Sequence, residues 1–169
     1  KVPKSKMTFK TKVENVKQIR FIHKGNHIVL EVLYEVEEKE LLPDNNRYAA
    51  IDLGIDNLCS VSSNCCNSFI INGKPVKSIN QYYNKKKARL QKRVKKCQKK
   101  NNSKKLQKLT EKRNRKVKDY FHKASRYIVN QLVSNQINTL IVGYNKGWKQ
   151  EVNIGKRNNQ KFVGIPFMT

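Results

Sequence analysis

Residues 48–54, Tyr48-Ala49-Ala50-Ile51-Asp52-Leu53-Gly54, form an apolar run interrupted by a single acid. A run this uniformly apolar predicts a strand buried on both faces, and Gly54 ends it. Leu58–Ser62 and Ser68–Ile71 read as two shorter strands, separated by the turn-rich Ser63-Asn64-Cys65-Cys66-Asn67. Three short strands joined by tight turns predict an antiparallel meander.

Helix replaces strand after Gly73-Lys74-Pro75. Ser78 is the expected cap of a helix reaching about Lys100, with Tyr83, Leu90 and Cys97 seven apart and Ile79 and Val94 close to the same seam. Asn101-Asn102-Ser103 breaks it. A second helix, about Lys104 to Asn135, carries Leu106, Leu109, Val117, Phe121, Ala124, Ile128 and Leu132 on one apolar stripe. At 1.5 Å per residue it would run roughly 45–50 Å. So short a break predicts an antiparallel helical hairpin over about 78–135. Asn138–Val142 returns to strand, ended by Gly143, and Tyr144–Asn159 reads as loop.

Upstream, residues 27–36 alternate, with Ile28, Leu30, Val32, Tyr34 and Val36 opposite Glu31 and Glu35. Val16–His23 is a second strand, joined to it by a turn at Gly25-Asn26, and Met7–Val13 is a weaker candidate. Leu42-Pro43-Asp44-Asn45-Asn46 reads as a linker. The chain therefore divides into a small β-rich module, 1–45, and an α/β domain with a mixed sheet, 46–169.

The 169 residues carry 37 Lys/Arg against 12 Asp/Glu, a formal charge of +25. Such self-repulsion excludes an ordinary enzyme of small-molecule substrates and calls for a polyanionic partner. No apolar run approaches the roughly 18 residues a membrane-spanning helix needs, and Lys1–Lys10 lacks the apolar core of a signal peptide. Nucleic acid is the expected partner. Residues 85–118 hold eighteen Lys/Arg and one acid, Glu111. Like charges at i,i+4 weaken a helix that has no external anion, so Lys85, Lys86, Lys87, Arg89, Lys92, Arg93, Lys96, Lys112, Arg113, Arg115 and Lys116 are the candidate backbone-contacting residues. Such contacts position a nucleic acid without reading its sequence. Tyr82 and Tyr83 could stack on bases but read first as packing residues.

Asp52 is the residue with chemical promise. A carboxylate in an apolar run is costly unless paired or bound to metal, and two-metal phosphodiester hydrolysis needs several carboxylates converging on Mg²⁺ ions. The plainer alternatives are an Asp paired with a basic neighbour or capping a turn. Asp56 reads as a turn former, His122 as a packing histidine on the second helix, and Trp148 as a buried anchor. His23 and His27 form no metal spacing. Cys59, Cys65, Cys66 and Cys97 show neither a disulfide framework nor a zinc knuckle and suit reduced thiols in a cytoplasmic, nucleoid-associated setting. The start at Lys1 and the stop at Ile165-Pro166-Phe167-Met168-Thr169 give both ends the look of cut ends.

In order along the chain, these segments resemble the transposon-encoded TnpB/OrfB family, relatives of the type V CRISPR nucleases. Ala50-Ile51-Asp52-Leu53-Gly54-Ile55-Asp56-Asn57-Leu58 resembles its first RuvC motif. Residues 72–85, from Asn72-Gly73-Lys74-Pro75 to Tyr82-Tyr83-Asn84-Lys85, are similar to its strand-to-helix segment, and Arg113–Ser125 to its second helix. Gly143–Gln150 and Asn159–Phe167 resemble a stretch of one branch. The resemblance implies a RuvC/RNase H-like sheet, a wedge-type barrel around residues 1–45, and RNA-guided, Mg²⁺-dependent DNA cleavage with guide RNA and target DNA as partners. It makes Asp52 the first of an Asp, Glu, Asp set. Where the family has its Glu, this chain has Gly143 after Leu140-Ile141-Val142; Glu151 is a candidate substitute. The third Asp and the family's zinc element would lie beyond Thr169. Three readings follow: part of an RNA-guided endonuclease, a non-cleaving relative, or a basic RNA-binding structural protein. The last leaves Asp52 and the motif order unexplained.

Overall fold

The computed structural model describes residues 8–25, 27–38, 40–41, 43–98, 103–143, 147, 150 and 153–167. The chain forms two compact units, Lys1–Leu41 and Leu42–Thr169. In the first, β1 (Val16–Lys24) and β2 (His27–Tyr34) pair antiparallel with His23 opposite Ile28 and Lys24 opposite His27. Gly25 takes the left-handed φ of 61° that the tight connection demands. Residues 8–13 are not strand. Ile19, Phe21 and Ile28 lie on one exposed face of the hairpin.

The second unit is mixed α/β. Its sheet has the order β5-β4-β3-β6, from β3 (Tyr48–Leu53), β4 (Asn57–Ser63), β5 (Phe69–Asn72) and β6 (Thr139–Val142). The first three form the expected antiparallel meander, and β6 joins β3 in parallel. That parallel return requires a long crossover, supplied by α1 (Lys74–Gln98) and α2 (Lys104–Ser134).

The start of α1 and both ends of α2 have identifiable causes. The Asn72 Oδ1 accepts from the Lys74 amide at 2.8 Å, so α1 starts four residues before Ser78, with Pro75 in its first turn where no amide is needed. Gly73 cannot be replaced there: a Cβ would lie 2.5 Å from the Ile55 carbonyl oxygen. Ser103 caps α2 through the Leu106 amide at 3.3 Å. At the far end Gln136, at φ 54°, turns the chain left-handed. The amides of Gln136 and Ile137 then reach back to the Val133 and Leu132 carbonyls, closing a Schellman motif with Ile137 packed beside Leu132. The expected linker is tied to this end. Asn45 donates to the Gln136 carbonyl at 2.7 Å, Arg47 to that of Asn135 at 3.0 Å, and Asn138 to that of Pro43.

Two apolar cores fix the site. One packs Ile128 and Leu132 of α2 with Ile137 onto Ala49, Ile51, Cys59 and Val61 of the sheet. The other gathers Val76, Val117, Ala124 and Leu58 around Phe162, Ile165 and Phe167. Phe162 lies in α3 (Lys156–Val163), a helix that begins inside the region read as loop, and Ile165 and Phe167 follow it. The strand β3 is buried on one face only: Ala49 and Ile51 are inside while Ala50 and Asp52 are exposed. Its apolar run therefore does not reflect a two-sided core. Among the described residues no helix is long and apolar enough to cross a membrane.

Candidate functional site

Antiparallel contacts run along the hairpin: Tyr83 meets Thr110, hydroxyl to hydroxyl at 3.0 Å, and Arg113 Nε donates to Asn80 Oδ1 at 2.7 Å. The apolar seam is dense near the sheet and thins outward. Between Lys85 and Gln98 no described side chain is buried, and between Ser103 and Lys116 only Leu106 is. The outer half of the hairpin is therefore an arm whose surface is almost wholly cationic.

Of the eleven candidate cations, Lys85, Lys86, Arg89, Lys92, Arg93, Lys96, Lys112, Arg115 and Lys116 are exposed, and Lys87 and Arg113 are half-buried. Lys104, Lys108, Lys112 and Lys116 follow one another at i,i+4 along α2, all exposed, and Lys85, Arg89 and Arg93 do the same on α1. Each such pair opposes the helix by about 0.2–0.5 kcal/mol. The first turn of α2 holds two lysines and no acid, against the sense of the helix dipole. An anion along the arm offsets both penalties.

Arg113 has other work. Besides Asn80, its guanidinium donates to the Gly164 carbonyl and to Asn114 Oδ1, and Asn80 Nδ2 also donates to Gly164 at 3.0 Å. Burial pushes its pKa below the ordinary arginine value. These bonds pin the segment after α3 to both long helices, so its donors are spent internally. Tyr83 packs as expected, whereas Tyr82 is 61% exposed and packs little.

Asp52 projects from the open face of β3, directly across from Ser60 of β4. Its carboxylate meets water, and it makes no hydrogen bond or ion pair among the described residues. Among the described residues it therefore has neither the basic partner nor the capping bond considered for it, and its exposure removes the burial argument for metal. On the other side, Ile51 is paired with Val142, and the Gly143 amide donates to the Ile51 carbonyl at 3.0 Å. Continuing this register by one residue sets Gly143 alongside Asp52. The family's second acid would thus stand beside the first, and here that position has no side chain. Among the described residues no group of three His, Cys, Asp or Glu could hold a metal ion. These residues do not fit a complete two-ion site.

Other sequence candidates land elsewhere. Asp56 does not bond its own turn; its carboxylate pairs with Lys77 Nζ while its backbone carbonyl takes the Gly73 amide at 2.8 Å. Lys77, first by its hydrogen bond and then by its charge, holds the Asp56 carboxyl below the usual range. His122 is exposed instead of packed, and Cys97 lies off the seam. The cysteines are free thiols, and burial raises that of Cys59. Trp148 and Glu151 lie outside the described residues. Sequence reading missed Asn80, a buried amide that holds Arg113; its spacing of four from Val76 was the available signal.

A model of the family OrfB_IS605, described as a probable transposase, matches residues 31–149, well over half of the chain. No curated protein matches it.

Proposed function

The chain belongs to the OrfB_IS605 family of probable transposases, and from that we propose that this transposon-associated protein binds nucleic acid through its basic arm, as part of an RNA-guided DNA endonuclease. The carrying observation is the i,i+4 ladder of exposed cations on a hairpin whose outer half, among the described residues, buries only Leu106. Guide RNA and target DNA are the proposed polyanions. The sheet order β5-β4-β3-β6, with only β6 parallel to β3, supports a RuvC/RNase H-like reading. In that reading Asp52 is the first carboxylate of a Mg²⁺ site, residues 1–45 belong to a wedge-type barrel, and the setting is cytoplasmic.

A specific observation favours a second reading, a non-cleaving relative: Gly143 stands where a second carboxylate is needed, and among the described residues no group of three His, Cys, Asp or Glu could hold a metal ion. Fluorescence anisotropy with labelled oligonucleotides tests the shared part. Affinity is expected to fall steeply with salt, with a log–log slope of about −0.9 per neutralised phosphate on duplex. Replacing Lys92, Arg93 and Lys96 with Gln should lower that slope by about one each. An affinity indifferent to salt would exclude the arm. Incubation with Mg²⁺ separates the two readings, since cleavage that Asp52→Ala abolishes would exclude the non-cleaving one.

A further inference from the structure

Between α1 and α2, at the base of the arm, lies a cleft of about 280 Å³ lined by Ile79, Tyr82, Tyr83, Leu109, Lys112 and Lys116 among others. We propose that this cleft receives one unpaired nucleobase of a single-stranded nucleic acid, with the adjoining phosphate held by Lys112 and Lys116. The proposal rests on the reading of the arm as a polyanion-binding surface and adds to it a preference for unpaired strands.

The lining decides the ligand class. Ile79 and Leu109 give an apolar floor that inorganic phosphate would not use, while Lys112 and Lys116 supply charge that a purely apolar side chain would not use. A planar aromatic group joined to a phosphate uses both. The volume lies just below the roughly 300–1,000 Å³ range of small-molecule pockets and is ample for a planar base. Bases within a duplex are stacked on each other and do not present a free face. The two tyrosines divide the work. Tyr83 is fixed by its hydroxyl contact to Thr110 and by the Arg113 guanidinium 5.9 Å from its ring centre. Tyr82 is largely exposed, with Lys86 Nζ 5.7 Å from its ring centre. An exposed aromatic beside cations is the arrangement on which bases stack in single-strand binders.

The test uses the full chain with single-stranded oligonucleotides carrying 2-aminopurine, whose fluorescence is quenched on stacking, and with a duplex of the same length. Ribose and deoxyribose strands are run side by side. Tyr82→Ala is expected to weaken single-strand binding roughly 5- to 150-fold, the range for one stacked base, and to relieve the quenching. Duplex affinity and salt slope should stay as they were, and Tyr82→Phe should restore the wild-type behaviour. Because Tyr82 is exposed, the variant keeps its fold. A loss confined to ribose or to deoxyribose strands supports the proposal and identifies the strand; an equal loss supports it with the base alone being read. Steep salt dependence on both nucleic acids with no effect of Tyr82→Ala overturns the cleft and leaves the arm standing. Salt-independent binding, or none, overturns both.

Discussion

Asp52 and Asp56 are four residues apart and live in opposite surroundings. Asp56 is paired with Lys77, so its carboxyl gives up its proton more readily in the folded chain than in the unfolded one. The stability this contributes is complete above the ordinary aspartate pKa of about 3.9 and disappears as pH falls through the lowered folded value. Carboxyl chemical-shift titration should place the Asp56 midpoint below the usual range, and Lys77→Met should return it there. Asp52 has water for company and a glycine alongside. Nothing in the backbone requires that glycine, since Gly143 is not among the positive-φ residues, and an added Cβ would lie 3.3 Å from the Ile51 carbonyl oxygen, a tight but adjustable contact. Gly143→Glu should therefore fold and bring two carboxylates together. Water-proton relaxation with Mn²⁺ is expected to show tighter binding than in the wild type, a gain removed by adding Asp52→Asn. At this scale the sequence set an exposed acid on the first strand and misjudged only how much of that strand is covered. A strand's composition reports its own side chains, not whether a second layer covers its other face.

Among the elements, the outcome followed how locally each was determined. The stripe from Leu106 to Leu132 and the Ser103 cap are written in consecutive turns, and α2 begins and ends within a residue of expectation. The start of α1 was hidden because Pro75 looks like a breaker until one sees that the first turn tolerates it. Helix α3 was invisible: Lys156–Val163 contains two apolar residues, and its order comes from Phe162, Ile165 and Phe167 entering a core built by α1, α2 and β4. Arg113 carries that long-range connection. Arg113→Met should destabilise the chain by about 1–3 kcal/mol in urea unfolding, by stranding the buried Asn80 acceptor and removing one of the two donors to the Gly164 carbonyl. Its effect on nucleic-acid affinity should be smaller than that of Lys116→Gln, because its donors already face inward. The charge run alone could not separate Arg113 from Arg115, two residues away and exposed.

For the molecule as a whole, the +25 charge governs behaviour in solution. Free chain should melt at a higher temperature as salt rises from about 50 mM to 200 mM, because screening relieves self-repulsion. With an oligonucleotide bound, melting should start from a higher value at low salt and fall over the same range, because binding, and with it the ligand's contribution, weakens. Differential scanning fluorimetry with and without the oligonucleotide checks the crossing of the two trends; parallel trends would count against the arm.

At the border of the sheet, β6 offers Leu140, Ile141 and Val142, each at least 39% exposed, and among the described residues only β3 pairs with it. A greasy, open border of this kind is what proteins usually blunt with lysine or proline to keep identical copies from zipping together, and β6 has neither. Here the deterrent is remote: mutual repulsion between heavily cationic molecules keeps those borders apart. Anything that neutralises the arm, whether a bound polyanion or concentrated salt, also withdraws that protection, so solubility and ligand occupancy are coupled through a strand that touches neither.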